Sequence, residues 1–446
     1  MGLKESRYNF FFDGEKGAKL AFNSMTGALA QIEPNKWPII QKLLADPNRE
    51  PKNQTEKELL ESLKYGGFLI DGDFDELAYL KVMNRMARFS KDLLSLTIAP
   101  TMKCNFACFY CYEVKSGLTM SKKVQEKIVD FTRKRLPGAK GLGVVWYGGE
   151  PLLAFSIIES LSEKLLELCG EGDIKYSAQI ITNGYLLNPD KARRLSELGV
   201  ASAQITLDGP PKIHDKRRVL ANGKGTFKKI LENIKTASEF MRINLRVNVD
   251  KTNMSETVKL LDLLEKEGVR KKVSIYYART TMHSDVCVDP KDAYMSLEEF
   301  NREHICSMRE LVKRGFDAWQ KPKRKTNVCN ADALNAFMIL PEGKIHKCLI
   351  GTGTLGISCI GSVFDGDFNH NYNRWLSLDV FEEERCVNCK ILPLCMGGCP
   401  AVSFGKSRET ERICEFHDED TLLEHMRLFV EYRVSLKDKT AKEVRA

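Results

Sequence analysis

No stretch of the 446-residue chain is both long and apolar enough to cross a bilayer, and its start lacks the apolar core of a secretory signal. A membrane-spanning or exported protein is therefore not expected, and the expected location is the cytoplasm. There is also no dense basic stripe or aromatic platform, and the net charge of +8 is modest for this length. Nucleic acid and membrane are thus not expected partners. The opening Met1-Gly2-Leu3-Lys4-Glu5-Ser6 fits a myristoylation pattern, but so short a match arises easily by chance. Fourteen cysteines without a secretory signal point to metal rather than to disulfides. The length calls for two or three domains.

The most specific feature is Cys104-Asn105-Phe106-Ala107-Cys108-Phe109-Tyr110-Cys111. Three thiols at CxxxCxxC spacing can hold an iron–sulfur cluster and leave one iron open to a small molecule, because soft thiolates suit such clusters. The other reading is a zinc knuckle completed by a distant ligand, although the spacing is not a usual zinc one. Leu93 to Pro100 reads as a short buried strand and Ser121 to Arg135 as a helix, so the cysteines sit on a loop after a strand. Loops at the C-terminal ends of strands carry the catalytic groups of β/α barrels.

With an aromatic residue, Tyr110, just before the last cysteine, this segment resembles the signature of the radical S-adenosylmethionine (SAM) superfamily. The resemblance implies that Cys104, Cys108 and Cys111 hold a catalytic [4Fe-4S] cluster whose open iron binds S-adenosyl-L-methionine. One-electron reduction then gives a 5′-deoxyadenosyl radical that abstracts hydrogen. It also implies an α/β fold, a partial (β/α)6 TIM barrel. Six strands are expected, at Leu93 to Ala99, Gly143 to Tyr147, Ala178 to Thr182, Ala203 to Leu207, Leu245 to Val249 and Val273 to Tyr277.

Motifs follow several of these strands. In Gly148-Gly149-Glu150-Pro151 the glycines permit close backbone approach and Glu150 offers an acceptor for an ammonium group. The resemblance carries SAM binding to Gly148, Gly149 and Glu150. Thr182-Asn183-Gly184 is either a turn or, at Asn183, a ribose contact. Thr206-Leu207-Asp208-Gly209-Pro210, continuing to His214, Asp215 and Arg218, resembles a segment of peptide-modifying members. There Thr206 is a candidate ribose contact and Arg218 a candidate carboxylate clamp. His214 reads as a helix-start or packing residue.

Residues 1–90 form a separate unit, expected as β-β-α-α-β. The strands are Tyr8 to Phe12, Lys19 to Asn23 and Gly67 to Asp71, and the helices Trp37 to Ala45 and Glu56 to Leu63. The order is similar to winged-helix-like α+β domains that recognise the leader of ribosomally made peptides by strand addition. A purely structural cap is the other reading. Residues 91–320 are the expected barrel.

Residues 321–446 hold Cys329, Cys348, Cys386, Cys389, Cys395, Cys399 and Cys414. This array resembles the SPASM domain, an iron–sulfur extension with two auxiliary clusters, which brings the expected total to three [4Fe-4S] clusters. The resemblance assigns Cys386, Cys389, Cys395 and Cys414 to an outer cluster, and Cys329, Cys348 and Cys399 to an inner one. Members that close the inner cluster have a further cysteine where this chain has Asn335. Cys359 reads as a buried strand residue, and Cys169, Cys287 and Cys306 as incidental. An open inner iron suits a substrate thiolate; a carboxylate, Asn335 or water is the other possible occupant.

The expected function is thioether formation on a ribosomally synthesised precursor peptide, as in sactipeptide and ranthipeptide synthases, with a flavodoxin- or ferredoxin-type reductant. Carbon–carbon crosslinking of the streptide type and anaerobic sulfatase maturation are the alternatives. Leu349 stands where the sulfatase-maturating enzymes carry an aspartate.

Overall fold

The structure is a computed structural model that describes residues 2–14, 17–113, 116–280, 293–317, 321–326, 329–348, 356–404 and 419–443. Cys287, Leu349 and Cys414 lie outside the described residues.

The N-terminal unit runs β1 (Leu3–Glu5), β2 (Asn9–Asp13), β3 (Lys19–Asn23), β4 (Leu29–Ile32), α1 (Trp37–Ala45), α2 (Gln54–Tyr65), β5 (Leu69–Asp71) and α3 (Glu76–Phe89). The expected elements are present, joined by β1, β4 and α3. Strands β2, β3 and β4 form an antiparallel meander, and β1 pairs with β5. Alternation along β2 and β3 gives this sheet two apolar faces. Ala21 packs with Ile40, Leu43 and Leu63 of the helices. Phe10, Phe12, Leu20 and Phe22 pack against Ile391, Leu394, Cys395, Leu422 and Met426 of the C-terminal region.

The barrel strands are β6 (Leu93–Ile98), β7 (Gly141–Trp146), β8 (Lys175–Thr182), β9 (Val200–Thr206), β10 (Arg242–Val249) and β11 (Val273–Arg279). All five neighbouring pairs are parallel. The intervening helices are α4 (Lys122–Arg135), α5 (Phe155–Glu171), α6 (Pro189–Glu197), α7 (Pro211–Arg217), α8 (Phe227–Ala237) and α9 (Thr257–Lys266), with α10 (Leu297–Arg314) after β11. All six expected strands are found. Their near-continuous Val, Leu and Ile content matches a sheet covered by helices, with Leu94, Leu96, Ile98, Ile180, Ile205 and Leu245 fully buried.

The sheet does not stop at β6. β12 (Ala336–Ile339) adds to it in parallel, and β13 (Lys344–His346) and β14 (Cys359–Ser362) follow antiparallel, giving nine strands in the order β11-β10-β9-β8-β7-β6-β12-β13-β14. The cysteine-rich region is thereby fixed to the wall that carries the first cysteine motif. No helix among the described residues is long and apolar enough to cross a membrane.

Candidate functional site

Cys104, Cys108 and Cys111 occupy the loop between β6 and α4, and two backbone ladders grip it. On one side Gly149 N donates to Thr101 O (3.2 Å) and Glu150 N to Lys103 O (2.8 Å). On the other, Ala107 N donates to Val219 O and Ala221 N to Asn105 O, each at 2.9 Å, around a Phe106 to Leu220 bridge.

The two glycines owe their identity to the first ladder. A Cβ on Gly148, at φ +121°, would stand 2.3 Å from Thr101 O; one on Gly149 would stand 2.5 Å from Lys103 O and 2.6 Å from Met102 O. Backbone cannot yield as a flexible side chain can. Gly149→Ala is therefore expected to displace the cysteine loop and lower bound iron, read by metal analysis and visible absorption of the reconstituted protein. Full iron in that variant would show that the loop tolerates the push.

Glu150 is fully buried and already engaged. Its carboxylate accepts from Thr182 Oγ1 (2.7 Å), Leu152 N (3.0 Å) and Asn183 N (2.8 Å). Burial pushes its carboxyl up, against these donors, which favour the anion. Its visible work is to join the ends of β7 and β8. Asn183 Nδ2 in turn donates to Asn105 Oδ1 (2.8 Å) inside the cysteine motif, and Asn183 Oδ1 accepts from Tyr185 N (3.0 Å). Thr206 is buried at the end of β9.

Tyr110 is held from below. Its hydroxyl donates to Asp208 and accepts from Arg218 Nη1 (2.7 Å) and Asn248 Nδ2 (3.2 Å). Asp208 is fully buried, accepts Asn248 N (3.0 Å) and faces Arg217 Nε at 3.5 Å; Arg217 also pairs with Asp250 at 2.8 Å. Arg217 lies over the rings of Phe109 (5.0 Å) and Tyr110 (5.2 Å), and Arg218 over Phe106 (5.6 Å). Arg218 Nε is buried and makes no hydrogen bond among the described residues. Asp208, Arg217, Asn248 and Asn105 were not singled out from sequence as site residues, although Asp208 stands in the quoted motif.

Removing Asp208 would leave two buried guanidinium groups, Arg217 and Arg218, with Asp250 as the one carboxylate paired to either of them among the described residues. Asp208→Ala is expected to cost about 3 to 5 kcal/mol, as for breaking a buried ion pair, measured as a lower midpoint of chemical denaturation. An unchanged midpoint would mean that Asp250 alone balances the charge.

His214 is structural. Thr226 Oγ1 gives its proton to Arg218 O (2.6 Å), so His214 Nε2 carries the hydrogen toward Thr226 (3.0 Å) while Nδ1 accepts Asp208 N (3.2 Å). Burial, with Arg218 and Arg217 nearby, holds the imidazole well below its ordinary range, so it is neutral.

In the C-terminal region Cys329 caps the turn Asn330–Asp332. Cys348 follows β13. Cys386 and Cys389 share a turn, Cys389 N donating to Cys386 O (3.1 Å), and Cys395 is buried at the end of the helix Leu392–Cys395. Among the described residues no three His, Cys, Asp or Glu side chains converge as a metal-binding group. The fit to iron–sulfur clusters therefore lies in the donor chemistry, three thiols on one gripped loop and, in the C-terminal region, six of the seven described cysteines. Cys359 sits in β14 as expected but is only half-buried there, its thiol toward Gly361 O (3.8 Å); Cys169 is in the core and Cys306 is exposed.

Residues 98–264 match the model of the radical SAM superfamily, a family that uses a [4Fe-4S] cluster and SAM. A cysteine-type anaerobic sulfatase-maturating enzyme of Clostridium novyi is 25% identical over 344 residues, 69% of this chain and 87% of that protein. The solved structure of anSMEcpe with bound AdoMet and a peptide aligns with TM-score 0.58 at 20% identity, over 79% of this chain and 99% of that one. Streptococcus suis SuiB bound to its precursor peptide SuiA aligns with TM-score 0.55 at 15% identity, over 93% and 100%. At these identities the two structures establish the shared fold, the α/β partial barrel with its C-terminal extension.

Proposed function

We propose that this radical SAM enzyme modifies a ribosomally synthesised precursor peptide by joining cysteine sulfur to carbon. The observation that carries the reading is the doubly gripped loop of Cys104, Cys108 and Cys111, with the orphaned Arg218 Nε beneath it. When bound there, a [4Fe-4S] cluster and SAM supply one-electron reductive cleavage and hydrogen abstraction. The chain's own part is to orient them. Three thiolates hold the cluster, and Gly148, Gly149 and Glu150 fix the loop and the adjoining end of β7. Asn183 and Thr206 border the ribose, and Arg218, a buried cation with an unused donor, meets the carboxylate.

Seven of the eight C-terminal cysteines, Cys414 among them and Cys359 apart, form a SPASM domain with two further clusters. The inner one, at Cys329, Cys348 and Cys399, lacks a fourth cysteine because Asn335 replaces it, and this leaves a place for the substrate's sulfur. The N-terminal unit binds the leader. In support, β4 is an outer strand with exposed Ala30 and Gln31, suited to strand addition.

Co-expression with a cysteine-rich precursor, followed by mass spectrometry, tests the reading. The expected product has lost two hydrogens per crosslink and has fewer alkylatable thiols. The same loss with every thiol still alkylatable would favour carbon–carbon bonds instead. The 25% identity to a sulfatase-maturating enzyme supports a second reading. Modification of a sulfatase-derived peptide, with the cysteine-rich precursor left unchanged, would establish it.

A further inference from the structure

None of the six barrel strands contains an aspartate or a glutamate. Their charged residues are Lys175, Arg242, Arg246 and Arg279, all cations. Lys175 and Arg242 begin their strands, at the end away from the cysteine loop, and Arg279 donates to Met295 O (3.1 Å). Arg246 is placed differently. Along β10, Ile243, Leu245, Val247 and Val249 join the core shared with the helices, so Asn244, Arg246 and Asn248 line the inner face of the barrel. There Arg246 stands in register with Thr206 of β9 on one side and Tyr276 of β11 on the other. Thr206 is the residue proposed above to border the ribose, and neighbouring strands lie about 5 Å apart. Arg246 is therefore the next side chain along the inner wall from the place given to SAM.

The guanidinium is held in place without being neutralised. Its Nε donates to Asn248 Oδ1 (2.7 Å), and its central carbon lies 6.0 Å from the centre of the Tyr276 ring. Tyr276 is fixed in turn, its hydroxyl crossing β10 to donate to Gln204 Oε1 (2.7 Å) on β9. Asn248 reaches on to the Tyr110 hydroxyl (3.2 Å), which ties the arrangement to the cysteine motif. Arg246 makes no ion pair among the described residues. Asp208 and Asp250, beyond the strand ends, are paired with Arg217, and Asp317, bridged to Ser274 at the sheet edge, stands one rank deeper than Tyr276. The inner face is open here, because Arg246 is half-buried, Gln179 is exposed and Tyr276 is 36% exposed. We propose that Arg246 clamps the carboxylate of an aspartate or glutamate side chain of the precursor peptide. A guanidinium fixed at Nε and backed by a ring presents its two Nη groups as a fork, the geometry that fits a carboxylate. The clamp selects an acidic residue in the part of the peptide that enters the barrel and holds it one strand from the SAM site. No bond is made or broken at Arg246.

The inference rests on the peptide-modifying function proposed above. Its test uses the reconstituted enzyme with SAM and the core segment of the cysteine-rich precursor. Each aspartate and glutamate of the segment is replaced in turn by its amide, and binding is read by fluorescence anisotropy. One replacement is expected to weaken binding to the wild type about tenfold or more, the loss of a charge-assisted pair. Arg246→Gln should weaken binding of the unaltered segment by the same factor, and the two changes together should cost no more than either alone. Arg246→Lys, which keeps the charge without the fork, should recover only part of the affinity. Arg246→Glu should regain binding when the peptide's acid is changed to lysine, and circular dichroism checks that each variant is folded. The inference is overturned if the wild type does not bind the segment, if no acidic position matters to it, or if the two losses multiply in the combination. It is equally overturned if Arg246→Gln raises the KM for SAM while peptide binding is unchanged, which would assign the guanidinium to SAM's own carboxylate. A segment that binds with the expected dependence yet gains no crosslink would overturn the proposed function and leave the clamp standing.

Discussion

Replacing Cys104, Cys108 or Cys111 with alanine is expected to abolish reductive cleavage of SAM, down to the background of the assay, and to remove one cluster's worth of iron. Each thiol is one of three on its loop, and a cubane held by two cysteines has a second iron open to solvent. The loop itself should survive, because what holds it is main chain. Gly149 and Glu150 grip residues 101–103, and residues 219–221 grip 105–107. Tyr110 stays anchored through Asp208, Arg218 and Asn248. Circular dichroism and the denaturation midpoint should therefore match the wild type while iron and 5′-deoxyadenosine fall. Cys169→Ala is the control, since that thiol is enclosed by core side chains and burial pushes its pKa up, away from the thiolate. A Cys104 variant that kept full iron and more than roughly a tenth of the cleavage rate would remove this loop from the chemistry.

The features legible in the sequence are those whose cause is local. Six buried strands announce themselves as short Val, Leu and Ile runs, and their observed bounds differ from the expected ones by a few residues at most. The cysteine spacing and the glycines after β7 are equally local. β1 was missed because Leu3-Lys4-Glu5 has no apolar pattern; it exists only because β5 lies opposite. β4 was missed for a similar reason, with Leu29 to Ile32 made a strand by pairing with β3. α3 has no clean amphipathic pattern, because its packed side mixes Leu77 and Leu80 with Glu76, Asn84 and Arg88. Its true packing is specified by partners as distant in sequence as Thr326 and Asp332.

The clamp under Tyr110 is the least legible part of the site. Asp208 and Asn248 lie 98 and 138 residues from Tyr110. Their types follow from charge balance in a buried place, which one sequence cannot display. Arg218 was chosen as a carboxylate clamp from its motif. The structure adds that Nη1 is already spent on Tyr110, and that Nε is buried with no hydrogen bond among the described residues.

Cys329→Ala and Cys348→Ala are expected to separate two activities that the first set of variants loses together. β12 runs parallel to β6 with Ala336 opposite Ser95, and Asn330 Nδ2 reaches Ser95 Oγ (3.0 Å). Cys329 precedes this pairing, and Cys348 follows the return strand β13. The inner cysteines therefore lie toward the start of β6, whereas Cys104 lies beyond its end. Ser95 to Ile98 is three strand steps, roughly 10 Å, so at least that length of strand separates the two sites. Because the two loops are built from separate contacts, SAM cleavage should stay within about threefold of wild type, whereas crosslinked peptide should fall roughly a hundredfold, or about 2.7 kcal/mol of barrier. Asn335→Cys then distinguishes a sulfur-holding inner cluster from one that only carries electrons. The Asn335 contact seen in the fold is its main-chain oxygen accepting from Ser95 N (2.9 Å), which a cysteine retains. Supplying the fourth thiolate should close the inner iron, preserve cluster content and SAM cleavage, and still abolish thioether formation. If Asn335→Cys instead crosslinks at the wild-type rate, the open iron has no part in holding sulfur; equal loss of cleavage and crosslinking in the Cys348 variant would make the inner cluster a structural element.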